Sequence, residues 1–71
     1  MAHWFTTPEA GGFPVERAVL GDCDLSVMRI GDTWRWFVSR SGRDVAEGSA
    51  GSDADARRQA ETVVAVRRLG E

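Results

Sequence analysis

Side chains able to do covalent or acid–base chemistry are few in this 71-residue chain: a single Cys, a single His and scattered carboxylates. A Ser–His relay would rest on His3, which lies in a stretch with no hydrophobic period to position it. Cys23 stands between Asp22 and Asp24 with no cation beside it in the sequence, and two carboxylates oppose the thiolate that nucleophilic chemistry needs. The same two Asp could approach a hard cation, but calcium demands more oxygen ligands than so short a motif offers, and the stretch reads as turn chemistry. One Cys and one His cannot furnish the ligand set of a zinc site. Met1-Ala2-His3 has the form of an amino-terminal copper or nickel motif, which disappears if Met1 is removed ahead of the small Ala2, so no metal is assigned to it. No catalytic residue, metal or cofactor is nominated, and the expectation is a chain that is not an enzyme.

The densest chemical cluster runs from Arg29 to Arg43. Arg29, Arg35, Arg40 and Arg43 there surround Trp34, Trp36 and Phe37, with Asp32 the only acid. Arginines interleaved with aromatics can pair phosphates and stack bases on an exposed sheet face, which makes a nucleic-acid-binding module on these four arginines one alternative reading. Strand alternation weighs against it. Trp34 and Trp36 fall on one side, as core residues do, and leave only Phe37 of the three aromatics on the other. Across the chain nine Arg and no Lys face six Asp and five Glu, and the net charge of −2 is not the basic balance of a general nucleic-acid binder.

The elements that must position these groups fit in one domain, because a chain this short has nothing left to fill a second core. Residues 1–12 show no clean period, close on Gly11-Gly12 and read as an irregular arm whose Trp4 and Phe5 tuck against the body; residues 13–71 form the domain. Imperfect alternation predicts strands from Phe13 to Leu20 and from Asp24 to Ile30, with Pro14 at a strand start. Gly31-Asp32 suits a two-residue type II′ turn, Thr33 to Arg40 is rich in strand formers, and Ser41-Gly42 turns the chain into a strand from Arg43 to Ser49. Ser52, followed by Asp53 and Asp55, then opens a helix from about residue 53 to about residue 69. Ala56, Ala60, Val63 and Val64 recur on one face of it, Arg67 and Arg68 suit its C-terminal end, and Gly70 offers a stop. The expected fold is α+β: an antiparallel meander of three or four strands packed against one C-terminal helix.

Turn lengths then sort the side chains between two faces. A two-residue loop at Gly31-Asp32 sets Arg29 opposite Trp34, Val27 opposite Trp36 and Leu25 opposite Val38. Leu25, Val27, Trp34, Trp36 and Val38, with Val45, Val63 and Val64, make the expected core beneath the helix. A three-residue loop after Leu20 adds Val15 and Val19. Met28, Ile30, Arg35 and Phe37 collect on the opposite face with Ala46, Ser26, Ser39 and Asp44. One helix cannot cover both sides of a sheet, so this face is solvated, covered by the arm through Trp4 and Phe5, or used for binding; Met28, Ile30, Arg35 and Phe37 are the candidate interaction surface.

From Thr33 onward, the strand, Gly turn, strand ending Ala46-Glu47-Gly48-Ser49-Ala50-Gly51-Ser52, and helix with Ala54, Ala56 and Ala60 resemble the C-terminal half of a double-stranded RNA-binding domain. The resemblance spans residues 33–69, about half the chain. It implies a strand–strand–helix unit and, in that family, two lysines after the serine that meet phosphates across the RNA groove. Here those places hold Asp53 and Ala54, followed by Asp55, which reverses the charge where phosphate neutralisation should begin. A looser likeness, through the Trp-x-Trp strand, Gly turn and Ala-rich terminal helix, is to small bacterial and phage domains of unknown function.

The expected function is a small binding or adaptor domain that works through a protein partner or self-association, as a homodimer joined through an open sheet face or edge. The alternatives are the nucleic-acid module and a small phage-type inhibitor that offers its carboxylates to another protein's nucleic-acid site. No apolar run approaches membrane-span length and no targeting pattern is legible, so a cytoplasmic location is expected.

Overall fold

The computed structural model describes residues 3–7 and 14–69. Five strands follow one another, β1 (Phe5–Thr7), β2 (Val15–Leu20), β3 (Cys23–Ile30), β4 (Thr33–Arg40) and β5 (Arg43–Ala50), and α1 (Asp53–Leu69) closes the chain. The strands pair antiparallel in the order β1-β2-β3-β4-β5, and α1 lies across β3, β4 and β5. The fold is the expected α+β meander with one C-terminal helix, but with five strands rather than three or four. The extra strand is β1, which pairs Phe5 with Arg17 and Thr7 with Val15, so part of the segment read as an irregular arm is sheet. Residues 1–2 and 8–12 of that arm, Phe13 and the Gly70 stop lie outside the described residues.

Each hairpin turn uses a backbone conformation that its residues make accessible. Gly31 has φ +63° with Ile30 opposite Thr33, as a two-residue type II′ turn requires. Ser41 and Gly42 are both at positive φ, 54° and 79°, the type I′ pattern. The link after Leu20 differs from expectation. Leu20 pairs with Cys23, so its loop is Gly21-Asp22 alone, and the shift of one residue moves every β2 side chain to the other face. Glu16, Ala18 and Leu20 therefore turn toward the helix side, and Val15 and Val19 turn away.

A second departure sits in β5. Val38 pairs with Ala46 while Ser39 pairs with Asp44, so Val45 is the extra residue of a β-bulge. The bulge brings Ala46 to the core side, where it and Val45 both pack against the buried cluster. Ala46 is thus not part of the opposite face, as simple alternation had placed it.

Leu25, Val27 and Val38 from the sheet meet Ala56, Ala60 and Val64 from the helix, all of them buried. The helix spacing i, i+4, i+8 sets a stripe of small residues over large ones, so the helix axis can approach the sheet closely. Trp36 fills the space between the layers. Its indole N–H donates to Gln59 Oε1 at 2.9 Å, and the indole packs against Gly48, where a Cβ would come within 2.5 Å of Cζ2. Gly48 is required by that contact. At the helix start Ser52 Oγ accepts the Asp55 N–H at 3.2 Å, and Asp53 and Asp55 occupy the first turn, where the helix dipole favours negative charge. Replacing such a cap with Ala typically costs about 0.5–2 kcal/mol.

Candidate functional site

The face of the sheet turned away from α1 carries Met28, Ile30, Arg35 and Phe37. Met28 and Ile30 alternate along β3, Arg35 is directly opposite Met28, and Phe37 lies two residues further along β4. Ile30 is more than half exposed, and the other three are half-buried among their neighbours. The Arg35 guanidinium lies 5.7 Å from the centre of the Phe37 ring, a cation–π distance, and Nη2 is 3.6 Å from Glu47 Oε1. Its Nε is buried with no hydrogen-bond partner.

One row crosses the whole sheet on this face: Phe5, Arg17, Ser26, Phe37 and Glu47 are successive cross-strand partners from β1 to β5. Phe5 at the end of that row is close to half exposed, and Val19 beside it is more than half exposed. Sequence reasoning misses all four for three different reasons: Arg17 and Val19 through the one-residue β2 register, Glu47 through the bulge in β5, and Phe5 because β1 reads as an irregular arm. Among the described residues no element lies over Met28, Ile30, Arg35 and Phe37, whereas Val15, at the start of β2, is 3% exposed on the same face. Trp4, one of two aromatics that could have covered it, turns to the helix side instead, where its indole N–H donates to Glu61 Oε2 at 2.6 Å and its ring lies 6.0 Å from the Arg57 guanidinium. Arg57 in turn pairs with Glu16 and, at 3.0 Å, with Asp53.

The four arginines of the nucleic-acid alternative do not converge. Arg35 alone is on the open face. Arg29 is at the Gly31 end on the helix side, donating to the Gly31 carbonyl at 2.9 Å with Asp32 at 3.9 Å. Arg40 pairs with Asp22 at 2.7 Å, and Arg43 is its cross-strand partner at the other end of the sheet, roughly 20 Å from Arg29 by strand rise. A groove of about 1080 Å³ opens near the Gly31 turn, with Glu16, Trp34, Asp53 and Arg57 among its walls. Both cations in its walls have acidic neighbours, Glu16 and Asp53 beside Arg57 and Asp32 beside Arg29.

Cys23 is buried on the helix side, and its thiol donates to Asp22 Oδ1 at 3.7 Å. Burial, then the Asp22 charge and that hydrogen bond, push its pKa up, so the thiol stays protonated and a poor nucleophile. His3 is exposed. Among the described residues no three His, Cys, Asp or Glu side chains are placed to share a metal ion, and no helix is long and apolar enough to cross a membrane.

No family model, no curated protein and no solved structure matches this chain.

Proposed function

We propose that this chain is a non-enzymatic binding module that acts through protein contacts made by the open face of its sheet. The observation that carries the reading is the grouping of Met28, Ile30, Arg35 and Phe37, which no described element covers, on one face with Phe5 and Val19 beside them. An apolar patch with a central arginine and aromatic has the composition of an interface core, where such side chains act as anchors. The nucleic-acid reading has weaker support. Its arginines are dispersed and mostly paired, and acids occupy the helix start where the RNA-binding resemblance would place lysines.

Capture from the native cell on wild-type and Phe37→Glu baits, with identification of bound protein and nucleic acid, tests the proposal. A protein retained by the wild type and lost by a variant with an unchanged circular dichroism spectrum supports it. Equal retention by both baits, or nucleic acid as the specifically retained species, would refute it.

A further inference from the structure

We propose that the partner of the open face is a second copy of this chain, packed face to face about a twofold axis that runs parallel to the strands between β3 and β4. This rests on the open face being the interaction surface and names its occupant. The argument is charge complementarity along the row Arg17, Ser26, Phe37, Glu47. Rotation about that axis lays β2 of one copy over β5 of the other and β4 over β3, so each Arg17 meets Glu47 of the second copy, and each Phe37 lies over Ser26 of the second copy with that copy's Phe37 one strand away. Two ion pairs then flank an aromatic centre. Arg17 and Glu47 both reach the surface of the single chain, and Glu47, 3.6 Å from Arg35, would share its carboxylate between that arginine and Arg17 of the second copy.

An in-plane axis perpendicular to the strands and running along this row would set Arg17 on Arg17 and Glu47 on Glu47, and like charges in contact disfavour it. Packed sheets cross at about 30°, which at the flanking pairs displaces the partners by only about 4 Å, within reach of side chains as long as Arg and Glu. Edge-to-edge pairing through β5 is a poorer route, because its bulge and the acidic Asp44 and Glu47 on one side blunt that edge.

Area sets the strength. Three strands of eight residues rise about 26 Å, the six-residue β2 about 20 Å, and the four together span about 19 Å, a footprint somewhat under 500 Å² per copy. The total of about 1000 Å² is at the lower limit for a specific interface, so the dimer is reversible rather than obligate.

Sedimentation equilibrium from about 10 µM to about 1 mM, the range an interface of this size calls for, reads the result. The mean mass should climb from 7.8 kDa toward twice that value. Arg17→Glu and Glu47→Arg should each weaken the dimer roughly tenfold or more, and the two together should restore it to within about threefold of wild type. A wild type that stays at 7.8 kDa at the highest concentration, or a double variant as weak as either single one, overturns the proposal. If a single variant fails to fold, concentration-dependent amide shifts in the wild type decide instead: they must centre on Ser26, Phe37 and Glu47, and shifts centred on the outer helix face at Arg58 and Thr62 overturn it. A monomeric wild type whose Phe37→Glu variant still loses a captured protein would retire the second copy while leaving the open face as the binding surface.

Discussion

Trp36 and Gly48 form the tightest residue-level constraint in the molecule, and each defines what the other can be. The indole is pinned by Gln59 above and by the β5 backbone below, and it is 7% exposed, so it cannot swing away from an added methyl. Gly48→Ala should cost about 1–3 kcal/mol, as overpacking does, although alanine is otherwise the better strand residue. Trp36→Ala should cost about 3–5 kcal/mol. In that background Gly48→Ala should become nearly neutral, and denaturant titration of the four proteins of the cycle measures the coupling. Cys23 supplies a pH-dependent test. Its pKa is raised in the folded state, so the native protein holds a proton that the unfolded chain gives up first. That stability is present below the unfolded thiol pKa and is lost as pH rises through the higher folded value. Melting temperature should therefore fall on the alkaline side, Cys23→Ala should flatten that fall, and a thiol reagent at neutral pH should label the folded protein far more slowly than the unfolded one.

At the scale of elements, β1 is the one that depends on a distant tie. Three residues of pairing are too few to hold an edge strand, and Trp4 anchors it to α1 through Glu61, a contact fifty-seven positions away in sequence. Trp4→Phe keeps most of the ring and removes the donor, so it should cost about 1 kcal/mol and lower amide protection at Val15–Arg17 while leaving β4 unchanged in hydrogen exchange. Such a tie leaves no trace in local periodicity, which is why β1 reads as an irregular arm in the sequence. The helix was legible to its ends, because Ser52, two first-turn acids and an alanine stripe all act locally. The Gly31 hairpin was legible too, and it placed Met28, Ile30, Arg35 and Phe37 on one face correctly. Gly21-Asp22 carries the same Gly-Asp signature, and reading it in the same way would have placed Val19 and Arg17 on the open face. The bulge at Val45 was not legible, since two residues opposite one is decided by packing between β4, β5 and the helix rather than by residue type.

The distribution of charge over the whole molecule bears on the partner more than its total does. A chain with net charge −2 could still bind phosphate if its arginines formed a stripe, but Arg29, Arg35 and Arg40 each face an acid of their own, and they are spread over two faces and both ends of the sheet. The helix start, which could attract an anion through its dipole, is occupied by Asp53 and Asp55, and both are already engaged with Arg57 and Arg58. Duplex RNA brought to this surface would release few counterions, so the driving term for association is missing. Fluorescence anisotropy with a labelled RNA duplex at about 150 mM salt should therefore show no saturable binding, and lowering the salt should bring only weak, sequence-independent association. Submicromolar saturation at that salt would mean that the paired arginines rearrange onto phosphates, and the assignment of the open face to protein contacts would have to give way. Replacing Asp53 and Asp55 together with Lys supplies the converse. It restores the charge sign that the RNA-binding resemblance implies at the helix start, and if charge is what keeps RNA away, that variant should bind duplex more tightly than wild type with a steeper loss of affinity as salt rises.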